Sequence, residues 1–245
     1  MRILRKKCVV WTILTLLWAV SGLSQQYLLP EDQERSQKIR FQLINNLVVI
    51  PLEVNGATLN FILDSGVSTP ILFNLADQDS IELKNVSKIT IRGLGMGEPV
   101  EALRSVGNTF RVQSLENRSQ ELYVVLDKDM NFSPSLGFPV HGIIGFDLFQ
   151  DHVVEINYSR KFIRFHNPAA YSGSEHKDQI TLPLSIENNK AYLEGSVVVN
   201  NREEMPVKLL MDTGSSDALW LFPDPENGIE VPVEHYEDYL GKGLS

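Results

Sequence analysis

Cysteine is nearly absent from this chain of 245 residues: the only one is Cys8, within the apolar N-terminal stretch. If that stretch is removed, no disulfide can stabilise the fold and no thiol can act as a nucleophile. The sequence also lacks a Gly-x-Ser-x-Gly frame and a His-Glu-x-x-His pattern, which argues against a serine hydrolase and a zinc peptidase. Its five histidines are scattered, so neither a metal nor another cofactor is expected.

Positive charge is also scarce, with 22 Lys and Arg against 31 Asp and Glu and a formal net charge of −9. The first 24 residues hold four basic and no acidic side chains, so their removal would take the net charge to −13. Such an acidic surface argues against nucleic acid and anionic membranes as partners.

The N-terminus has the layout of a secretory signal. Four basic residues within the first seven positions precede a mostly apolar run, 8–20, and then the short segment Ser21–Ser24. We therefore predict a signal peptide over 1–24 and an exported protein, periplasmic or extracellular, with or without association with the cell envelope. The apolar run is shorter than the about 20 residues of a membrane span, so no stable span should remain after cleavage. An uncleaved anchor is the alternative.

Two similar motifs lie 148 positions apart: Asp-Ser-Gly at 64–66 and Asp-Thr-Gly at 212–214. Each follows three apolar residues, and each is preceded by a strand–turn–strand pattern. In the first copy the turn is Asn55–Gly56, a pair typical of β-hairpins. A Gly-x-Gly sequence begins 29 positions after each acid, at Gly93 and at Gly241. The order and the spacing indicate an internal duplication that brings two carboxyl groups together.

The other patterns predict an all-β protein. Short alternating or apolar runs bounded by turn residues recur over 39–166, which we predict to be a first lobe. The stretch 167–179 is rich in small and polar residues and is typical of a linker, so a second lobe is predicted over 180–245. A loose polar leader is expected over 25–38.

These motifs resemble the retropepsin/pepsin superfamily of aspartic peptidases, and most closely the signal-bearing bacterial aspartyl protease family proteins with two tandem lobes. The resemblance is carried by the two acidic motifs, by the glycine-rich segment 93–97, and by His141–Gly145, which is similar to the family's apolar-apolar-Gly element. It implies an acid-protease fold and an aspartic endopeptidase. The substrate would be a peptide or protein, hydrolysed by water that Asp64 and Asp212 activate, with no cofactor.

The resemblance also implies roles for the neighbouring residues. The two acid loops would be supported by Ser65, Gly66, Thr213, Gly214 and Ser215, a flap would be formed by Gly93, Leu94, Gly95, Met96 and Gly97, and the first acid loop would be braced by Ile143, Ile144 and Gly145. Ser215 follows Gly214, whereas Val67 follows Gly66, so a hydroxyl donor is expected only at the second acid. Because a hydrogen bond to a carboxylate lowers its pKa, we predict that Asp212 ionises more readily than Asp64.

One expected element is missing from the second copy. Gly145 lies 81 positions after Asp64, so a matching apolar-apolar-Gly element would fall near position 293, beyond Ser245. We therefore expect one complete lobe plus a truncated second lobe with unpaired strand edges. The chain is then a fragment of a longer protein, or a partner completes the lobe.

Two other functions fit the same residues. In one, two copies of the chain each contribute Asp64, the active species is a homodimer, and loss of Asp212 spares activity. In the other, the protein keeps the cleft without the chemistry and acts as a cell-envelope peptide-binding module. Inhibition by a hydroxyl-containing, transition-state-like peptide would separate the peptidase hypotheses from the binding hypothesis.

Overall fold

The computed structural model describes residues 26–29, 36–73, 81–91, 99–126, 131–173, 178–199 and 203–236. The predicted signal peptide (1–24), the predicted flap (93–97) and the second Gly-x-Gly sequence (241–243) lie outside the described residues. None of the helices in the described part of the chain is long and apolar enough to cross a lipid bilayer.

The protein is mostly β-sheet with few helices, which confirms the all-β prediction. In the described ranges the strands are β1 (Ser36–Arg40), β2 (Gln42–Ile44), β3 (Leu47–Val54), β4 (Ala57–Leu63), β5 (Ile71–Leu72), β6 (Ser87–Ile91), β7 (Val100–Val112), β8 (Leu115–Val125), β9 (Gly142–Ile144), β10 (Val153–Asn157), β11 (Phe162–His166), β12 (Ser185–Glu187), β13 (Lys190–Val197) and β14 (Met205–Leu210). Two short α-helices, α1 (Ser133–Leu136) and α2 (Phe146–Phe149), and the 3₁₀ turns Pro168–Ala170 and Pro225–Asn227 complete them.

In the largest sheet, strand β4 ends directly before the first acidic motif. Within the described residues it has eight strands in the order β2-β3-β4-β9-β5-β8-β7-β6, and β3 also pairs with β7. The β3–β4 hairpin turns at Asn55 and Gly56, whose φ angles of 48° and 93° suit a two-residue turn. Strand β9 pairs in parallel with β4 and antiparallel with β5. Strand β4 therefore has a neighbour on each side at the end from which Asp64 follows.

Apolar side chains of this sheet pack with those of a second sheet, β1-β11-β10, around one core. Phe61 on β4, Phe110 on β7 and Phe165 on β11 are all fully buried there. Burial of this apolar area is the main contribution that holds the strand ends, and hence the acid loop, in place.

Part of the N-terminal leader is packed against the first lobe, so the prediction of a loose segment over 25–38 was wrong. Tyr27 is only 1% exposed, and Leu28 forms an antiparallel bridge with Glu116. Strand β1 begins at Ser36 and pairs with β11. The sequence alone did not indicate this, because the segments that pair with the leader are far along the chain and the leader itself is polar.

The second acidic motif follows a smaller antiparallel sheet, β12-β13-β14. Strands β12 and β13 turn at Asn188 and Asn189, whose φ angles of 51° and 61° lie in the left-handed region that a two-residue hairpin turn requires. The side chains of β13 and β14 are half-buried or exposed, in contrast to those of β3 and β4.

Candidate active site

Asp64 is held by backbone hydrogen bonds directly after β4. Its N–H donates to the carbonyl oxygen of Ile144 over 2.9 Å, which continues the parallel pairing of β4 with β9 by one residue. Its own carbonyl oxygen accepts the N–H of Val67 over 3.1 Å and closes a tight turn. The position of the acid is thus fixed by main-chain contacts rather than by its side chain.

The predicted bracing segment crosses behind this turn. The N–H of Phe146 donates to the carbonyl oxygen of Val67 over 2.9 Å. A Cβ atom on Gly145 would lie 2.0 Å from the carbonyl oxygen of Asp64 and 2.3 Å from that of Val67, so only glycine fits. Ile143 and Ile144 lie on β9 beside Ile62 and Leu63 of β4.

Asp212 follows β14 in the same way. The N–H of Met211 donates to the carbonyl oxygen of Ala191 over 2.9 Å, which extends the β13–β14 pairing to the residue before the acid. The Oδ1 atom of Asp212 accepts the N–H of Gly214 over 2.8 Å, and the Oδ1 atom of Asp64 accepts the N–H of Gly66 over the same distance. The two motifs therefore orient their carboxyl groups by the same local hydrogen bond.

Ser65 and Thr213 join the two acid loops by reciprocal hydrogen bonds. The N–H of Ser65 donates to Oγ1 of Thr213 over 3.0 Å, and the N–H of Thr213 donates to Oγ of Ser65 over 3.1 Å. Each hydroxyl also donates across the interface, Ser65 to the Met211 carbonyl over 2.5 Å and Thr213 to the Leu63 carbonyl over 2.9 Å. A hydroxyl at this position is needed because it must both accept an N–H and donate to a carbonyl oxygen.

The glycines of the two motifs let the carboxyl groups meet. A Cβ atom on Gly214 would lie 2.3 Å from Cγ of Asp64, and one on Gly66 would lie 3.4 Å from Cγ of Asp212. Each carboxyl group therefore sits over the glycine of the opposite motif. The structure brings together all of the predicted residues at 64–66 and 212–214, although their catalytic role stays a prediction.

The pKa of Asp64 is raised from an ordinary 3.8 to about 7. Burial, which disfavours the charged form, is the largest cause, and the negative charge of Asp212 is the second. A hydrogen bond with the Asp212 side chain raises it further, whereas the Gly66 N–H and the positive charge of Lys190 lower it. The charge and the hydrogen bond of Asp212 thus act directly on the ionisation of Asp64.

Ser215 makes a different contact from the predicted one. Its Oγ atom accepts the N–H of Asp217 over 3.3 Å, and Asp217 in turn accepts the indole N–H of Trp220 over 2.7 Å. Donation from Ser215 to Asp212 stays a prediction. Among the described residues, no group of three or more His, Cys, Asp or Glu side chains is placed to hold a metal ion.

Residues 50–148 match the family model for aspartyl protease. The matched range includes the first acidic motif and its brace at Gly145, whose geometry is described above. Over these residues the chain is similar to the aspartyl protease family. The match ends before Asp212, so the second acidic motif is supported by its own contacts and by the internal repeat.

Among curated proteins no sequence matches the chain. Among solved structures, the chain is similar to a retropepsin-like aspartic protease from Rickettsia conorii, with 16% sequence identity and a TM-score of 0.39. The similarity covers 54% of this chain and 90% of that protein.

The sequence patterns assigned no role to two residues of this site. Gly142 precedes the bracing pair, and a Cβ atom on it would lie 2.5 Å from the carbonyl oxygen of Ile71. Lys190 opens β13, and its charge acts on Asp64. The Asn188–Asn189 pair is a turn signal that could have predicted where β13 begins. Lys190 would then have been recognised as the first residue of the strand that pairs with β14.

Proposed function

We propose that this protein is an aspartic endopeptidase in which Asp64 and Asp212 of one chain hold a single proton and activate water to hydrolyse a peptide bond. The observation that carries the proposal is the meeting of the two carboxyl groups across the reciprocal Ser65–Thr213 hydrogen bonds. The raised pKa of Asp64 supports it, because a carboxyl group that keeps its proton at mildly acidic pH can act as a general acid.

In this mechanism Asp212 is the ionised partner. It takes a proton from a water molecule as the water oxygen attacks the peptide carbonyl carbon, while Asp64 donates its proton to the carbonyl oxygen. When the resulting diol collapses and the C–N bond breaks, Asp212 passes its proton to the amine nitrogen and a diol hydroxyl returns a proton to Asp64. The pair ends in its starting state, with no covalent intermediate.

The single-chain arrangement is favoured over a homodimer of first lobes. Ser65 already exchanges hydrogen bonds with Thr213 of the same chain, and Gly214 already lies against Asp64. A second copy could present its own Asp64 only if these contacts were broken. Export also belongs to this proposal, on the strength of the N-terminal pattern over 1–24.

Cleavage of a peptide library by the purified chain, from pH 4 to pH 8, tests the proposal. We expect Asp64→Asn and Asp212→Asn each to lower the cleavage rate by about 10²- to 10⁴-fold, since each removes a general acid or base. Asp178→Asn is the matched control and should leave the rate unchanged. It changes an exposed acid in the segment of the chain between β11 and β12.

Three results would contradict the proposal. If Asp212→Asn keeps the wild-type rate and the active species is a dimer, two copies of Asp64 form the dyad. If the wild-type chain binds peptides without cleaving any, the protein is a binding module. A hydroxyl-containing, transition-state-like peptide should bind more tightly than the matching substrate peptide, and equal affinities would also speak against catalysis.

A further inference from the structure

The register of the β13–β14 ladder, extended two residues beyond its last pair, sets Lys190 opposite Asp212. The pairs run from Val197↔Met205 to Tyr192↔Leu210, and the Met211-to-Ala191 hydrogen bond extends them by one residue. One residue further, the same register sets Lys190 against Asp212, beyond the end of β14 at Leu210. Because side chains alternate between the two faces of a strand, Lys190 and Tyr192 belong to one face of β13.

The corresponding position in the first lobe is apolar. The β3–β4 pairs run to Val49↔Ile62, so the residue opposite Asp64 is Leu47. Leu47 packs with Val49 and Ile62 in a buried apolar cluster. The two halves of the site, which share their motifs and their hydrogen bonds, thus differ by one positive charge next to the acids.

The hairpin that carries Lys190 is attached to the first lobe. The hydroxyl of Ser68, four residues after Asp64, donates to the carbonyl oxygen of Asn188 over 3.2 Å. This contact holds the turn beside the first acid loop, and Lys190 itself is half-buried there. Its positive charge accordingly acts on Asp64 as well.

The other charged groups on this face are Glu187, Lys208 and Glu194, and Glu194 lies opposite Lys208, four residues along β13 from Lys190. Glu187 is paired with Lys190 across the β12–β13 hairpin, but both of its carboxylate oxygens accept from Nζ of Lys208 over 2.6 Å. Asp217, on the second acid loop, accepts from Trp220. The charges that face Lys190 from the two acid loops are then Asp64 and Asp212.

We propose that Lys190 is a positioning residue whose ammonium group stabilises the ionised form of the Asp64–Asp212 pair and so sets the pH range in which the pair holds one proton. This inference extends the proposed function, and its relevance to catalysis rests on that function. Its physical basis is that an opposite charge favours ionisation of a carboxyl group, here against the effect of burial. Removal of the charge should therefore raise the pH at which the pair loses its last proton.

Side-chain carboxyl titration by ¹³C NMR tests this directly on the full chain. Lys190→Met keeps the aliphatic stem and removes the charge, Lys190→Arg keeps the charge, and Asp64→Asn identifies the resonances of the pair. We expect Lys190→Met to raise the higher titration midpoint by about half a pH unit and Lys190→Arg to leave it near the wild-type value. Lys88→Met, which removes an exposed positive charge on β6, is the matched control and should leave the midpoint unchanged.

Two outcomes would overturn the inference: an unchanged midpoint in Lys190→Met, or an equal change in Lys88→Met. Peptide cleavage gives an independent readout, since the alkaline limb of the pH–rate profile should move to higher pH in Lys190→Met only. If the wild-type chain cleaves no peptide, the proposed function fails while the NMR titration still decides the role of Lys190.

Discussion

The hairpins β3–β4 and β13–β14 carry the same order of strand, turn, strand and acidic motif, yet the two acids are held in different ways. Strand β4 lies between β3 and β9, and its side chains are largely buried. Within the described residues β14 pairs only with β13, and its side chains are half-buried or exposed. Asp64 is therefore fixed by its own lobe, whereas Asp212 depends on contacts with the other one.

This difference has a consequence for function. The brace that reaches Asp64 comes from β9 and Gly145. The described contacts that hold the Asp212 loop come from Ala191 on β13 and, across the interface, from residues that include Ser65 and Leu63. Changes at the brace should damage the first lobe as a whole, and changes at the Ser65–Thr213 contact should separate the acids with less damage to the fold.

The largest effect is expected from Gly145→Ala. The added Cβ atom would collide with two backbone oxygens, 2.0 Å and 2.3 Å away, which a side-chain rotation cannot relieve. We expect a loss of about 3 kcal/mol or more in the free energy of unfolding, measured by urea denaturation, together with loss of peptide cleavage. Gly195→Ala on β13 is the matched control, because its nearest neighbour, Leu209, is 3.9 Å away. Equal stability of the two variants would show that the brace does not hold the acid loop.

A smaller effect is expected from Thr213→Val, which removes the hydroxyl but keeps the shape. The Ser65 N–H and the Leu63 carbonyl would each lose a hydrogen bond, at a cost of about 1–3 kcal/mol. We expect kcat/KM to fall about 10- to 100-fold and amide exchange around Met211 to speed up, while the first lobe unfolds as before. Thr213→Ser keeps the hydroxyl and should retain most of the activity. A normal kcat/KM in Thr213→Val would mean that the acids meet without this contact.

A third effect is expected in the dependence of stability on pH. Because the pKa of Asp64 rises from 3.8 to about 7 on folding, the folded state binds more protons than the unfolded state between these values. The stability contributed by the protonated acid should be complete below about pH 4 and lost as the pH rises through 7. Thermal unfolding should therefore show a decline over this range that Asp64→Asn removes. If Asp64→Asn shows the same decline, the decline comes from other groups. Asp147 is one such group, because burial raises its pKa as well.

Much of the site could be predicted because its signals are local. Each acid follows an apolar strand, each motif supplies its own glycine, and the apolar-apolar-Gly element is contiguous at Ile143–Gly145. The hairpin turn at Asn55–Gly56 is likewise read from two adjacent residues. Features of this kind do not depend on which distant strand becomes a neighbour.

Within the long strands β7 and β8 the sequence pattern predicts only the runs 109–112 and 122–126, since polar residues interrupt the apolar pattern elsewhere. Ser105, Asn108, Asn117 and Gln120 are all buried. They satisfy one another: Asn108 donates to Ser105 over 2.9 Å and Asn117 donates to Gln120 over the same distance. A buried polar network of this kind has no hydrophobic periodicity, so only the ends of the two strands were recognised. The closeness of Lys190 to Asp212 was not predicted for a related reason: it follows from the register of β13 and β14 and not from the spacing of the two residues along the chain.

The central claim is that Asp64 and Asp212 of the same chain form the dyad, and a mixing experiment tests it most directly. Asp64→Asn and Asp212→Asn would be purified separately, shown to be inactive, and then incubated together beside the wild-type chain. A single-chain dyad predicts that the mixture stays as inactive as its components, because no molecule contains both acids. Recovery of peptide cleavage in the mixture would show that the acids are contributed by different chains and would contradict the account.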